Sequence, residues 1–517
     1  MLTSACGPSD RLRSSLSLSS SFLSSSLAST SLAGLSLKES GRTPARRSSV
    51  LSPADAHPGL TAATDAGQSA RRRALRGKVV AFISAGYSGK KFIYAKAKEL
   101  GVRAIIVDGG DSWSRGLVGE GLAERFVACD MSDAEGMLPF ILEALQALEA
   151  DGLALDGVCT FCEVAVPLVA RLAHALGLPG NSIAAVDKAR DKHATRAAMA
   201  AAGLPTPANV LLQPGADAAT VAAAGDVVGF PAVLKPTGGA ASIGVLRVDT
   251  PEQLQAGYAR VVAEMSRSVV NSCGALVQLP AGAPLPEGAR ALVSALLLEE
   301  YLDGTEIDCD VVLDAGVPTY AKITDNWPTH EPWFNETGDN APSALTPAQQ
   351  ADMAKLCTDT LAALGFTCGV FHVEGKATSR GPRLIEVNSR MGGGQVRDNN
   401  LAVWGVDLVE EHILTAVGLP ARPPAADPLL TCRSTLYINA PRSGVMGDGD
   451  WMEAVRAWPR VVYARIFSAP GDSVVCAADG LPTWIGQIMC DGDTIEDAIA
   501  LVKKADAAAQ PPIIAAA

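Results

Sequence analysis

The segment from residue 371 to residue 398 constrains the fold and chemistry of this chain more than any other part of its sequence. Two short runs with the alternation of β-strands flank a polar Gly-Pro turn. Because side chains alternate between the two faces of a strand, Glu386 and Asn388 share one face, and Glu374 on the neighbouring strand can lie opposite them. The segment therefore predicts a β-hairpin with carboxylate and amide oxygens gathered on one face.

Oxygen atoms of this kind suit Mg²⁺ (or Mn²⁺), a hard cation that takes few protein oxygens and completes its shell with water and phosphate. Just beyond the hairpin come Arg390 and Arg397, separated by three consecutive glycines. A guanidinium binds a carboxylate or phosphate with a planar fork, and glycines let backbone amides approach an anion closely. The combination favours a metal and anion site over the alternative, a structural hairpin with a solvated acidic face.

Bulk properties exclude several classes of partner. The length of 517 residues suggests about three domains. No apolar run approaches the roughly 20 residues of a membrane-spanning helix, and the net charge of −12 argues against nucleic acid. Eleven cysteines without regular spacing indicate reduced thiols in an intracellular compartment. We therefore expect small-molecule substrates and neither nucleic acid nor membrane, while a homo-oligomer is left open.

Residues 1–75 are rich in Ser, Leu, Ala and Arg, and serines interrupt every leucine run. This composition is more typical of an organellar transit peptide than of a secretory signal. The serine content favours a plastid, with a mitochondrion as the alternative. A disordered tail on a cytoplasmic protein is the remaining interpretation. We expect folded structure to begin at Lys78.

Three folded domains are predicted after this segment. From Lys78 onward, buried-strand patterns alternate with a helical pattern, which predicts β-α-β units and a parallel sheet in an N-terminal α/β domain over residues 76–185. A central domain over residues 186–422 carries the hairpin. Four strand-like runs and one helix predict a small C-terminal α+β domain over residues 423–510.

Lysines in the central domain point to a bound phosphate. One helix is predicted from Val186 to Ala202, which would place Lys188 and Lys192 on one face. Lys235 leads from a strand into a Gly-rich loop that precedes another strand. Such a loop predicts a lid that can close over a triphosphate, with Lys235 as a point charge.

A strand that ends in Glu299-Glu300-Tyr301-Leu302 can line an adenine slot through its backbone. Glu306 follows a turn at Gly304 and can accept hydrogen bonds from ribose hydroxyls. The structural alternative is a strand with exposed acids. The long aromatic loop before Thr346 is expected to be functional, and Thr346 itself is expected to cap the next helix. His372 is interpreted as a neutral, hydrogen-bonded histidine, with a group that supports the site residues or a substrate contact as the alternatives.

The order and spacing of these signals resemble the ATP-grasp superfamily over about residues 78–510. The motifs TDNWPT, FNET and EVNSRMGGGQVRD are most similar to the carnosine-synthase branch of its amino-acid ligases. The resemblance implies an α/β fold of the ATP-grasp type, with an N-terminal α/β (pre-ATP-grasp) domain, a central two-lobed ATP-binding domain and a small C-terminal α+β domain.

The resemblance also implies a role for each residue type singled out. For ATP, it implies phosphate contacts by Lys192 and Lys235, a closing loop with Gly238, Gly239, Ser242 and Gly244, adenine binding by Glu299, Glu300 and Leu302, and ribose binding by Glu306. For the metal, it implies coordination of Mg²⁺ by Glu374, Glu386 and Asn388. For the substrates, it implies that Arg390 and Arg397 orient an acyl phosphate and a substrate carboxylate.

The reaction implied by the resemblance joins two amino acids at the expense of ATP. A carboxylate attacks the γ-phosphate, and the amine of a second amino acid then displaces phosphate from the acyl phosphate. The aromatic loop over residues 327–334 differs from what we expect around an imidazole, so the two amino acids are left open. The alternatives are a carboxylating enzyme similar to biotin carboxylase and a nucleotide-binding protein without catalysis.

Overall fold

The computed structural model describes residues 59–133, 135–238, 243–271, 276–279 and 295–514. Its strands, in chain order, are β1 (Val79–Ile83), β2 (Arg103–Asp108), β3 (Arg125–Ala128), β4 (Gly157–Cys159), β5 (Asn209–Leu212), β6 (Ala232–Pro236), β7 (Leu246–Val248), β8 (Ser268–Val270), β9 (Leu276–Gln278), β10 (Leu296–Glu300), β11 (Thr305–Asp314), β12 (Val317–Asn326), β13 (Gly338–Ala341), β14 (Gly369–Thr378), β15 (Gly381–Asn388), β16 (Cys432–Asn439), β17 (Gly444–Met446), β18 (Val461–Ile466), β19 (Ser473–Val474), β20 (Trp484–Gly492) and β21 (Ile513–Ile514).

The α-helices of the same part of the chain are α1 (Asp65–Leu75), α2 (Lys91–Glu99), α3 (Gly116–Gly119), α4 (Met137–Ala147), α5 (Val166–Leu176), α6 (Ile183–Arg190), α7 (Lys192–Ala201), α8 (Ala218–Val228), α9 (Pro251–Met265), α10 (Pro347–Leu364), α11 (Val396–Trp404), α12 (Leu408–Ala416), α13 (Glu453–Arg456) and α14 (Ile495–Ala508). Short 3₁₀ turns cover Ser88–Lys90, Trp113–Arg115, Leu148–Asp151 and Glu163–Ala165. None of the helices described here is long and apolar enough to cross a membrane.

The N-terminal sheet is parallel, with strand order β3-β2-β1-β4. Every residue of the apolar strand β1 is buried, because both faces of the sheet are covered. Val80 and Phe82 face a core that includes residues of α2 and α12, whereas Ala81 and Ile83 face a core that includes residues of α4 and α5. The predicted parallel α/β unit is confirmed.

A smaller antiparallel sheet has the strand order β5-β10-β6-β7. Leu234, Leu296 and Leu298 pack against Val221 of α8 and Leu254 of α9 on one face of this sheet. Alternation along β6 therefore directs Lys235, the next residue, to the opposite face.

The largest sheet has eight strands in the order β15-β14-β11-β12-β13-β16-β20-β18. On one face, Ile307, Val373 and Val387 pack against α10 in a single apolar core. The other face carries polar and acidic side chains at the alternate positions. Strands β16, β18 and β20, which the sequence suggested for a separate C-terminal domain, continue this sheet rather than forming one of their own.

The expectation that folded structure begins at Lys78 is wrong, because helix α1 lies upstream of it. The Arg71 side chain is 0% exposed, and its guanidinium donates hydrogen bonds to the carbonyl oxygens of Leu60, Ala62 and Arg422 at 2.8, 2.9 and 2.6 Å. A basic segment that looked unstructured in composition is thus held both by neighbouring residues and by Arg422, which is far away in the sequence.

The single helix predicted from Val186 to Ala202 is also wrong, because two helices meet at Asp191. The backbone of Asp191 is extended (φ −115°, ψ 112°), and its carboxylate accepts a hydrogen bond from the Ala194 amide at 3.0 Å. Asp191 thereby caps α7. Lys188 and Lys192 consequently do not share one helix face.

Candidate active site

The central hairpin has the register that the sequence suggested. In the antiparallel pair β14–β15, Glu374 lies directly opposite Glu386, and His372 lies opposite Asn388. The amide nitrogen of Asn388 donates a hydrogen bond to the Glu374 carboxylate at 3.0 Å. The expected face of two carboxylates and one amide is therefore present.

Lys192 reaches this face from the start of α7 and forms an ion pair with Glu386. Although burial opposes it, this lysine lowers the pKa of Glu386 to about 2. Glu374 behaves in the opposite way, because burial and then the charge of Glu386 raise its pKa. Lys192 therefore compensates the charge of Glu386, whereas Glu374 holds its proton more tightly than a free glutamate.

A second group of buried charges lies on the small sheet. The Glu299 carboxylate accepts hydrogen bonds from Lys235 Nζ at 2.6 Å and from Arg196 Nε at 2.9 Å. Burial lowers the pKa of Lys235, and the charge of Glu299 opposes that shift. Arg196 also donates to the carbonyl oxygen of Ile385 at 2.8 Å, so this cluster is connected to the hairpin strand β15.

The residues expected around adenine and ribose lie along β10 and at the start of β11. The Leu302 side chain is buried, whereas Glu300 is half-buried and pairs with Arg380. Glu306 lies 3.8 Å from Lys376, which donates to the Leu302 carbonyl oxygen at 3.3 Å.

Gly304 makes the turn between these two strands with φ +86°, and a Cβ there would lie 2.1 Å from the Ala377 carbonyl oxygen. Only glycine fits that close approach to the neighbouring strand.

The expected phosphate lid is described only in part. Gly239 and Ser242 lie outside the described residues, whereas Gly238 and Gly244 lie within them. Gly244 adopts φ +72°, a left-handed conformation that suits glycine. The lid assignment stays a prediction.

The two arginines of the glycine-rich segment have different positions. Arg390 donates to Asn388 Oδ1 at 3.3 Å and therefore lies beside the hairpin face. Arg397 instead makes two hydrogen bonds to Asp407, at 2.9 and 2.6 Å, and its guanidinium carbon lies 4.9 Å from the centre of the Phe92 ring. The structure does not bring Arg397 to the carboxylates, because it belongs to the first turn of α11, which packs toward the N-terminal domain.

A row of acids on β11 was missed by the sequence analysis. Asp308 lies opposite Glu374 and Asp310 opposite His372, so the polar face extends onto a third strand. His372 Nδ1 lies 2.9 Å from Asp310, and the charges of Asp308 and Asp310 outweigh burial and raise the pKa of His372 to about 10. The two acids thus favour the protonated form of His372, whereas the sequence suggested a neutral histidine. The signal was available in the alternation of acids in TEIDCD.

A buried acid from the N-terminal domain was missed as well. Glu163 follows β4 and lies 2.8 Å from Arg390 Nε. Its position just beyond a parallel strand is one where ligand-binding residues are common, and that position could have drawn attention to it.

The donor atoms of the hairpin fit a hard divalent cation. Among the described residues, no group of three or more His, Cys, Asp and Glu side chains is arranged to hold a metal ion. Glu374 and Glu386 with Asn388 supply oxygen ligands only, which suits a cation that keeps water or phosphate in its shell. The Asn388 oxygen faces Arg390, so this amide would have to turn over to bind a metal.

Two family models match the chain. The ATP-grasp N-terminal domain matches residues 94–180, and the ATP-grasp domain matches residues 285–398, which includes the hairpin and both arginines. These matches identify an ATP-grasp N-terminal domain and an ATP-grasp domain within the chain, and they agree with the parallel sheet, the small sheet and the large antiparallel sheet of the structure.

Among curated proteins, the chain is similar to carnosine synthase 1. It is 33% identical to the Gallus gallus protein over 430 residues, which cover 80% of this chain and 44% of that protein. It is 31% identical to the Homo sapiens protein over 377 residues, which cover 71% of this chain and 43% of that protein. The chain therefore spans less than half the length of these relatives. Alanine–anticapsin ligase of Bacillus subtilis is 27% identical over 268 residues, covering 50% of this chain and 53% of that protein.

Solved structures show the same fold. An L-amino acid ligase from Bacillus licheniformis aligns with a TM-score of 0.66 at 21% identity, over 86% of this chain and 100% of that chain. A phosphoribosylglycinamide synthetase from Anaerococcus prevotii aligns with a TM-score of 0.57 at 15% identity, over 85% of this chain and 99% of that chain.

Proposed function

We propose that this chain is an ATP-dependent carboxylate–amine ligase that joins two amino acids through an acyl phosphate and releases ADP and phosphate. The observation that carries the proposal is the polar face on which Glu374 and Glu386 lie opposite each other, with Lys192 and Arg390 beside them. Similarity to carnosine synthase 1 and to alanine–anticapsin ligase supports it.

In the first step, an oxygen of the substrate carboxylate attacks the γ-phosphorus of ATP, and the bond from that phosphorus to ADP breaks, which leaves an acyl phosphate. The substrate carboxylate and the γ-phosphate are both anionic, so cationic groups must surround them. In the proposed reaction Lys192 and Lys235 bind phosphate oxygens, while Arg390 binds the carboxylate and then the acyl phosphate. A bound Mg²⁺, held by Glu374, Glu386 and Asn388, would neutralise further charge on the phosphates.

In the second step, the amine of the second amino acid attacks the acyl carbon. The C–N bond forms as the bond between carbon and the phosphate oxygen breaks, and the proton lost by the amine is taken up by the departing phosphate. The Asp308 carboxylate, which lies opposite Glu374, would attract the ammonium groups of amino-acid substrates. The loop from Gly238 to Gly244 would exclude water, which otherwise hydrolyses the acyl phosphate.

Phosphate release from ATP with a panel of amino-acid pairs, followed by mass spectrometry of the products, tests this function. Release is expected to require two amino acids and to yield their dipeptide. Glu386→Gln is expected to lower turnover by about 100-fold or more, as for loss of an electrostatic catalytic group. Asp359→Asn, which removes a surface ion pair with Lys355 on α10, serves as the matched control.

Two results would contradict the ligase. ATP turnover that depends on bicarbonate and needs no amino acid would instead indicate a carboxylase. ATP binding without turnover under any condition, with Glu386→Gln equal to the wild type, would indicate a nucleotide-binding protein.

We further propose that residues upstream of Gly59 include an organellar targeting segment, with a plastid as the first candidate. The abundance of Ser and Arg in that stretch supports the proposal. The docking of α1 onto the folded protein suggests that processing leaves this helix in place. Sequencing the N-terminus of protein isolated from cells tests the idea, and an intact Met1 would contradict it.

A further inference from the structure

Glu163 is a fully buried carboxylate that the proposed reaction does not use. It is the first residue of the 3₁₀ turn after strand β4, and its side chain is 0% exposed. An isolated buried carboxylate is unfavourable unless cations and hydrogen-bond donors compensate its charge. The contacts of Glu163 therefore indicate why the N-terminal domain carries an acid here.

Two arginines share this carboxylate. Oε2 lies 2.8 Å from Arg390 Nε, and Oε1 accepts a hydrogen bond from Arg190 Nη1 at 2.5 Å. Arg390 also donates from Nη1 to the Met391 carbonyl oxygen at 2.9 Å and from Nη2 to Asn388 Oδ1 at 3.3 Å. Nη1 and Nη2 of Arg390 thus donate one hydrogen bond each to fixed groups and keep one N–H each for a ligand, whereas the contact of Nε with Oε2 is an ion pair without hydrogen-bond geometry.

This arrangement differs from an ion pair that only joins two domains. One carboxylate between two guanidiniums leaves an excess positive charge. Nε and Nη2 of Arg190 are buried, and neither makes a hydrogen bond to another described residue. A structural link alone would need a single arginine, as in the nearby pair in which Arg171 binds Asp187 with hydrogen bonds of 3.0 and 2.9 Å. The excess charge lies beside the hairpin that carries Glu386.

We propose that Glu163 is a positioning residue that aims the Arg390 guanidinium at the acyl phosphate, and that the N-terminal domain thereby completes the active site. The inference rests on the proposed function. Glu163 does not touch substrate and acts through Arg390. Arg190 binds the second oxygen of Glu163 and so prevents the carboxylate from rotating away.

A double-mutant cycle on kcat tests this role. Glu163→Gln is expected to lower kcat by about 10- to 100-fold, by analogy with the loss of a residue that orients a metal ligand, with the KM for ATP changed less than threefold. In an Arg390→Lys background the same change is expected to lower kcat less than threefold, because the group that Glu163 positions is already gone. Glu163→Asp keeps the charge and is expected to recover part of kcat. Asp187→Asn is the matched control and is expected to leave kcat within twofold.

A second measurement does not depend on turnover. The Nε–H resonance of Arg390, identified by its absence in Arg390→Lys, is expected to move in Glu163→Gln and to stay in place in Asp187→Asn. If wild-type protein releases no phosphate with any amino-acid pair, the proposed function fails. The Nε–H resonance then still tests whether Glu163 contacts Arg390 in solution. Equal losses of kcat from Glu163→Gln in both backgrounds, or an unmoved Nε–H resonance, would overturn the inference.

Discussion

The buried cluster formed by Arg196, Lys235 and Glu299 allows a sharp prediction about stability. The three residues are 2%, 6% and 2% exposed, and both cations bind the same carboxylate. Glu299→Gln keeps the shape of the side chain but removes its charge. It leaves two buried cations that have lost their carboxylate, which is the most costly way to break a buried ion pair.

The cost can be bounded from these contacts. Removing one partner of a buried ion pair lowers the free energy of unfolding by about 3–5 kcal/mol. We expect the lower end, about 3 kcal/mol, because the glutamine oxygen can still accept one hydrogen bond. For an unfolding unit of about 150–250 residues, this loss lowers Tm by roughly 6–12 °C. Glu300→Gln on the same strand is the control. Its half-exposed ion pair with Arg380 contributes at most about 1 kcal/mol.

The pH dependence of Tm shows whether Glu299→Gln destabilises the protein by removing a charge pair or by disturbing the packing. Burial already lowers the pKa of Lys235, and Glu299 is the main group that opposes this shift, so the pKa falls further in the variant. A lysine with a lowered folded-state pKa binds fewer protons in the folded state than in the unfolded state, so stability rises with pH. Calorimetry of both variants between pH 7 and 10 should show Glu299→Gln approaching the wild type as pH rises. A constant gap, or a Tm equal to that of Glu300→Gln, would refute the reasoning.

Two further outcomes are expected. Burial, and then the charge of Glu410, raises the pKa of Glu411 to about 8, so the folded protein binds its proton more tightly and loses stability as pH rises from about 4.5 to 8. Glu411→Gln should remove the part of the decline in Tm with pH that this carboxyl causes. Curves of Tm against pH that run parallel for the variant and the wild type would contradict this prediction. A chain that starts at Lys78 should have a lower Tm than one that starts at Gly59, because it lacks the buried Arg71 contacts. Equal Tm values would show that α1 adds no stability.

The hairpin and the parallel sheet could be predicted because their signals are local. Alternation along residues 371–388 places Glu374 and Glu386 on one face whatever surrounds them, and short apolar runs identify strands buried on both sides. Local patterns did not predict that folded structure begins upstream of Lys78, nor where the Arg397 side chain lies. Arg71 and Arg397 are held by Arg422 and Asp407, and nothing in the arginines themselves identifies such partners.

Glu163 shows the same limit at the candidate site itself. The sequence separates it from Arg390 by more than two hundred positions, and only the docking of β4 beside the hairpin brings the two together. Local alternation thus predicts which residues share a face of one sheet, whereas contacts between domains need the tertiary structure. A residue such as Glu163, which only orients a catalytic group from another domain, can therefore be assigned this role only from the tertiary structure.

The candidate site and the main core depend on one structural variable, the register of β11, β14 and β15. The positions that bury Ile307, Val373 and Val387 under α10 alternate with those that place Glu374 and Glu386 on the opposite face. A slip of one residue would bury the acids and expose the apolar residues, so the core excludes it strongly. The hydrophobic effect on one side of the sheet therefore holds the carboxylates in place on the other, with no need for a bound ligand to set their positions.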